Sequence, residues 1–277
     1  PASAELGDPA SRARGVREYR YPNVGSDPRH EEVAAPRFDV TVASDARVCI
    51  AGNEVWAPTT FAHDYWSSVF GMATHTTVIA RAETVTAVPA GMARLDGERV
   101  SVVVLPTLRP RLDLPVDAIK AFRRLWRLLP RGPVVPRMPG LVGSLTLLGL
   151  LLKRQRFGVS VVGDPLDVAF KAGIGKSFGK VAGIVLAATT IVACRRASLV
   201  HSVPVRYLQR RYPPSRRAKV HAFSDVDLPA YCETPPRSRE LEPRHIVTIG
   251  SFEQPYKRLD LILEATAALR SQGWPLE

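Results

Sequence analysis

From Arg47 onward the chain alternates short apolar runs with longer stretches of helical periodicity, and that alternation leaves few folds open. Val48-Cys49-Ile50-Ala51, Thr76-Thr77-Val78-Ile79-Ala80 and Val100–Leu105 are apolar or β-branched almost throughout, the pattern of strands covered on both faces. Further short strands are predicted at residues 134–135, 158–162, 198–201 and 219–222. Helical spacing is predicted over residues 61–70, 117–129, 141–152, 180–196 and 205–212. Strands separated by helices in this way form parallel βαβ units. The expected architecture is a doubly wound, Rossmann-like α/β domain with a parallel sheet over residues 46–228.

On either side of this region the texture changes. Residues 1–45 are rich in Pro, Ala, Gly, Arg and acids without sustained periodicity, and are expected to form a mobile extension. A proline-bearing stretch at 229–243 has the composition of an interdomain linker. Beyond it, residues 244–277 offer one more strand (245–249) and one more helix (259–270). A single βα unit cannot cover its own apolar faces, so the expectation is the start of a second α/β domain, cut off early.

Composition narrows the function. The 277 residues carry 38 Lys+Arg against 26 Asp+Glu, a net charge of +12, which favours an anionic partner. Aromatics make up only 7% and no nucleic-acid recognition motif is present, so nucleic acid is not the expected partner. Three widely spaced cysteines (Cys49, Cys194, Cys232) support neither a disulfide framework nor a zinc site, and fit a reducing cytosol. No apolar run reaches the roughly 18 residues of a spanning helix, and no leader sequence is visible.

Gly173-Ile174-Gly175-Lys176-Ser177 imitates the tail of a phosphate-binding P-loop, but Phe170 stands where that motif needs glycine and the preceding strand ends too early. It reads as a loop entering a helix. Three strand ends are more informative. Asn53 and Glu54 follow the first strand; Arg137, Gly140 and Gly143 lie in the turn from a strand into a helix; Asp164 and Asp167 follow the next strand. Ligands of open α/β sheets bind at this carboxyl edge. Helix N-termini there suit anions or sugar hydroxyls, and a carboxylate there can accept hydroxyl protons. The alternatives are tight turns packed by glycine, and an Asp-Pro turn capped by Asp164. Over residues 117–129, Ile119, Phe122, Leu125, Trp126 and Leu129 share one stripe, with Lys120, Arg123, Arg124 and Arg127 elsewhere. Such a helix either packs as an outer layer of the sheet or lies on anionic lipid. Finally, Gly250-Ser251 ends a strand and Lys257 enters a helix, an arrangement that either grips a diphosphate or leaves a surface lysine.

Residues 249–262, with Gly250, Ser251, Lys257 and Leu259-Asp260-Leu261-Ile262, resemble the segment opening the donor domain of family 4 glycosyltransferases of the GT-B fold. Upstream, residues 61–66 before Phe70, Val78-Ile79-Ala80-Arg81, residues 137–143, Gly163-Asp164-Pro165 with Asp167, and residues 207–213 follow the order of a bacterial polysaccharide-type branch. The resemblance spans about residues 47–272. It implies two Rossmann-like domains facing across a cleft, an acceptor bound by the first and a nucleotide-sugar donor by the second. Lys257 matches the lysine on the donor diphosphate. Ser251 stands where many members have arginine, and Arg258 where they have glycine. The paired glutamates that hold the donor sugar have no counterpart before Glu277, which implies a donor site incomplete in this chain.

The function so implied is transfer of a sugar, with retention, from a nucleotide-diphosphate sugar to a hydroxyl of a glycan or lipid-linked acceptor in cell-surface polysaccharide synthesis. It needs no metal and no further cofactor. Asp164 would orient the acceptor; Asn53, Glu54, Arg137, Gly140, Gly143 and Asp167 would line its side; Gly250, Ser251 and Lys257 would bind the donor. Lys120, Arg123, Arg124 and Arg127 would hold the protein at the inner membrane face. The alternative is a non-catalytic glycan- or lipid-binding module.

Overall fold

A computed structural model describes residues 38–105, 114–171, 177–203, 207–222 and 259–274. The chain divides into two units, Pro1–Pro36 and Arg37–Glu277, and every described residue belongs to the second. Gly173–Lys176 of the P-loop-like stretch, the strand expected at 245–249, and Gly250, Ser251 and Lys257 lie outside the described residues.

Seven strands run parallel: β1 (Asp39–Ala51), β3 (His75–Thr84), β5 (Val100–Leu105), β6 (Val134–Met138), β7 (Gly158–Val161), β8 (Leu199–Ser202) and β9 (Lys219–His221). Their order across the sheet is β5-β3-β1-β6-β7-β8-β9. The chain therefore builds outward from β1 in one direction, returns to its other side at β6, and builds outward again. This is the doubly wound arrangement expected from the sequence.

The helices follow from that winding. One face of the sheet is covered by α1 (His63–Val69), whose Trp66 is buried among Val40, Val42, Val78 and Ala80. The other face carries α2 (Leu114–Leu128), α3 (Leu141–Leu152) and α5 (Ser177–Arg196), which contribute Leu125, Val142, Leu147, Leu150 and Ala187 to a second core with Ala43 and Ile79. Adjacent residues such as Val42 and Ala43, or Val78 and Ile79, thus enter opposite cores, as the two-residue repeat of a strand requires. Shorter helices α4 (Pro165–Lys171) and α6 (Tyr207–Arg211) complete this region, and α7 (Leu259–Ser271) forms where the sequence predicts a helix. Cys49 and Cys194 are buried free thiols, and burial pushes Cys194 up to about 12, far from nucleophilic.

Three features depart from expectation. First, β1 begins at Asp39, inside the stretch read as an extension, because Val40, Val42, Val48 and Ile50 alternate along a long strand broken by a bulge. Second, β2 (Glu54–Pro58) and β4 (Met92–Arg94) add an antiparallel ribbon that the sequence reading did not contain. It turns through Gly52, whose φ of +62° suits glycine. Third, α2 buries Ala121 and Leu125, with Leu129 just past its end, but leaves Ile119 and Trp126 exposed. The roll of the helix is set by its neighbour: Gly149 of α3 has no side chain, and a Cβ there would lie 2.6 Å from Leu129 and 3.5 Å from Leu125. Lys153, at the end of α3, then donates to the Trp126 and Leu129 carbonyls at 2.7 and 3.2 Å, satisfying free acceptors at the end of α2.

Candidate functional site at the reversal of strand order

Strand order reverses between β1 and β6, and the general rule for open α/β sheets puts a ligand crevice there, outside the carboxyl ends of the strands. The bulge in β1 supplies its central group. Ala43 pairs with Ile79 and Arg47 with Arg81, so Ser44, Asp45 and Ala46 face a single residue of β3. The surplus residues turn the Asp45 side chain out of the ladder, the usual work of a bulge beside a site. Its carboxylate accepts from the Arg81 guanidinium at 3.0 Å and from the Val142 N–H at 3.0 Å, and Gly143 N–H adds a further bond. Asp45 is thus the acceptor that caps α3. The N–H groups expected to be free at this helix start are engaged by a carboxylate fixed in the strand.

Burial pushes the Asp45 carboxyl up, and the Arg81 charge with the Val142 and Gly143 N–H groups only partly offsets this, so it stays above the ordinary carboxylate range. The Arg81 Nε beside it is buried without a hydrogen-bond partner. An unsatisfied buried donor at a sheet's carboxyl edge is an opening for a polar ligand. Gly140 and Gly143 are required by the same close packing. A Cβ on Gly140 would collide with the Asp45 carboxylate, and one on Gly143 with the Arg137 carbonyl oxygen.

Arg137 stands on β6 beside this loop and is buried, 8% exposed. Its guanidinium carbon lies 5.2, 5.6 and 5.4 Å from the ring centroids of Phe61, Tyr65 and Trp66, and it donates to the Tyr65 hydroxyl at 2.6 Å. Aromatic faces attract a desolvated cation by about 2 kcal/mol. Phe61 before α1, with Tyr65 and Trp66 within it, therefore forms a cradle that holds Arg137. Phe61 and Tyr65 meet edge-on at 5.3 Å, as do Tyr65 and Trp66 at 4.9 Å, so the cradle is itself packed.

A second polar cluster sits after β7. Asp164, 6% exposed, accepts from Leu166 N–H (2.9 Å), Tyr212 hydroxyl (2.7 Å), Tyr207 hydroxyl (3.2 Å) and Arg211 Nε (2.6 Å). Asp167 accepts from the same Tyr207 hydroxyl at 2.8 Å. Both carboxylate oxygens of Asp164 are therefore occupied by the protein's own donors, and they tie α4 to α6. Hydrogen bonding to Asp167, with burial and Asp164, pushes Tyr207 up to about 12; burial and Asp164 raise Tyr212 as well.

The expected site residues thus divide. Arg137, Gly140 and Gly143 converge at the crevice, and Asp164 and Asp167 share one network on the next strand end. Asn53 and Glu54 do not join them. β1 pairs with β6 only as far as Ala43, and the β1–β2 turn lies at the tip of the ribbon, where Glu54 pairs with Arg94 at 2.8 Å. The crevice also contains residues the site prediction missed. Asp45 was hidden inside a segment read as extension. Arg81 and Tyr65 lie in stretches that carry the resemblance but were given no site role, and only three-dimensional pairing brings them to Asp45 and Arg137. Among the described residues no cluster of three or more His, Cys, Asp or Glu side chains has the arrangement of a metal site.

No protein-family model matches the chain, and no curated protein matches it. Among solved structures it is similar to a UDP-N-acetylglucosamine 2-epimerase from Listeria monocytogenes, with 9% identity and a TM-score of 0.36 over 64% of this chain. It is also similar to a sucrose-phosphate synthase from Thermosynechococcus elongatus, with 11% identity and a TM-score of 0.41 over 68% of this chain. The chain spans 42% and 48% of the length of these two proteins. These are partial likenesses; the doubly wound architecture stands on the strand order itself.

Proposed function

We propose that this chain is the acceptor-side part of a glycosyltransferase that moves a sugar from a nucleotide-diphosphate donor to a hydroxyl of a glycan or lipid-linked acceptor. The single observation that carries this reading is the Asp45–Arg81 pair at the start of α3, on the rim where strand order reverses. A carboxylate beside a guanidinium suits a polyhydroxylated ligand: Asp45 accepts from hydroxyls, and the Arg81 Nε offers a donor to a ring or hydroxyl oxygen. The resemblance to family 4 of the GT-B enzymes supplies the rest. Retention at the anomeric carbon, a role in surface polysaccharide synthesis, donor contacts from Gly250, Ser251 and Lys257, and independence of metal all rest on that resemblance. With no metal, charge developing on the leaving diphosphate would be met by Lys257 and helix amides. Asp164 acts as a positioning residue, holding α6 against the rim. Lys120, Arg123, Arg124 and Arg127, exposed on α2, suit the headgroups of the membrane that carries a lipid-linked acceptor.

The test has two arms. Saturation-transfer NMR with short glycans and polyprenol-phosphate glycans should show acceptor contact that Arg81→Ala abolishes while the far-ultraviolet circular dichroism stays unchanged. Turnover of a panel of nucleotide-diphosphate sugars, assayed with chelator present, should give a product of retained anomeric configuration. Acceptor binding without turnover would favour the binding-module alternative, and loss of both would remove the transferase reading.

A further inference from the structure

An outer helix of an α/β domain ordinarily turns a charged face to water. Two helices of this layer do not. α3 contains no charged residue from Leu141 to Leu152, and α5 contains none from 181 to 194. Their inner faces enter the core, yet their outer faces are also apolar. On α5, Val181, Ile184 and Val185 are 57%, 55% and 54% exposed, and Ala188 and Val192 continue the same stripe at helical spacing. On α3, Leu148 and Leu152 are 45% and 60% exposed. The two helices touch, with Ser144 and Thr189 hydroxyls 3.1 Å apart, so the stripes are neighbours. An apolar surface of this kind marks a partner.

Charge identifies the partner. Residues 118–224 hold 20 Lys and Arg against 2 acids, Asp164 and Asp167, a net +18 in a chain whose total is +12. Asp164 is buried and paired with Arg211, which leaves Asp167 as the remaining acid against the other cations of this stretch. The cations flank the stripes: Lys180 precedes the α5 stripe, Arg195 and Arg196 end it, Arg154 follows α3, and Arg123 and Arg127 are exposed on α2. Two copies of the chain meeting through this face would bring like charges together. An anionic bilayer is complementary to both components, taking the apolar stripes at the acyl boundary and the cations at the phosphates. No described helix is long and apolar enough to cross a membrane, so the geometry is one of lying in the interface.

We infer that the outer faces of α3 and α5, with their flanking cations, seat the protein on an anionic lipid bilayer. This differs from contact through the α2 cations alone, since α5 supplies apolar insertion. The inference does not rest on the transferase reading, because vesicle binding is measured without donor or acceptor.

The test is co-flotation of the full chain with vesicles of equimolar phosphatidylglycerol and phosphatidylcholine, and with phosphatidylcholine alone. Binding is expected to the anionic vesicles only, and to weaken with salt. Ile184→Asp with Val185→Asp should lower partitioning about tenfold or more, since it replaces two inserted apolar groups by repelled charges. Ile184→Ser with Val185→Ser, the milder pair, should lower it less, with an unchanged thermal midpoint. Arg195→Gln with Arg196→Gln should weaken binding and flatten its salt dependence. Absence of binding to anionic vesicles at low salt would overturn the inference. So would partitioning that both α5 pairs leave unchanged, or a solution dimer by light scattering that either pair converts to monomer.

Discussion

Two carboxylates at the rim of the sheet have opposite fates. Asp164 is closed in by four donors from two segments, while Asp45 shares its charge with one guanidinium and two N–H groups and keeps an unsatisfied donor beside it. The first arrangement spends its hydrogen-bonding capacity inside the protein and acts as a rivet. The second also has both oxygens engaged, Oδ1 by Arg81 and Oδ2 by Val142, but 23% of its side chain is exposed against 2% for Asp164, and the Arg81 Nε beside it is unsatisfied. Position at the carboxyl end of a strand is thus not enough to make a site; what matters is whether the fold leaves exposure and an unused donor beside the group.

The comparison predicts effects of decreasing size. Asp164→Ala should be the most damaging, leaving Arg211 and the Tyr212 hydroxyl without their acceptor and costing about 3–5 kcal/mol in urea unfolding. A loss below 1 kcal/mol would show that the rivet is loose. Gly143→Ala sets a Cβ against the Arg137 backbone carbonyl, which cannot swing aside, and should cost about 1–3 kcal/mol. Gly140→Ala meets only the Asp45 carboxylate, so it should lower acceptor binding more than stability, as read by comparing NMR titrations with unfolding midpoints.

Two pH experiments sharpen the contrast. Because the folded Asp45 pKa is raised, the folded state favours its protonated form, and stability falls as pH rises from the unfolded value of 3.8 through the folded one. Asp45→Asn removes that slope, so its thermal midpoint should gain on the parent chain across this window. The phenols near Asp164 give the alkaline counterpart. Their contribution is fully present below pH 10 and is lost above it, as the unfolded tyrosines ionise first. Ultraviolet titration should therefore show Tyr207 ionising only near pH 12. Smallest of all, Gly163→Ala points into open space and should shift stability by less than about 0.5 kcal/mol.

Much of the fold was legible in the residues. The parallel strands and α3 carry continuous apolar runs, and such runs survive reading without knowledge of neighbours. The start of β1 was not legible, because Ser44-Asp45-Ala46 interrupts the alternation and the polar residues before Asp39 blend with it. The bulge that obscured the strand is the same feature that projects Asp45. The β2–β4 ribbon was missed because its strands are short and lie far apart in sequence. At the site, glycines and Arg137 announce themselves by the turn they occupy. Arg81 and Tyr65 do not, since their roles come from partners 36 and 72 positions away.

The stoppered start of α3 has a consequence for what the crevice admits. A phosphate arriving there meets a resident anion already bound to the amides it needs, and must evict that anion from Arg81 as well. A neutral sugar faces no such contest: its hydroxyls can lean on the resident oxygen atoms while leaving every existing bond in place. On the proposed reading, the protein's own side chain thereby biases the entrance toward uncharged, hydroxyl-rich guests.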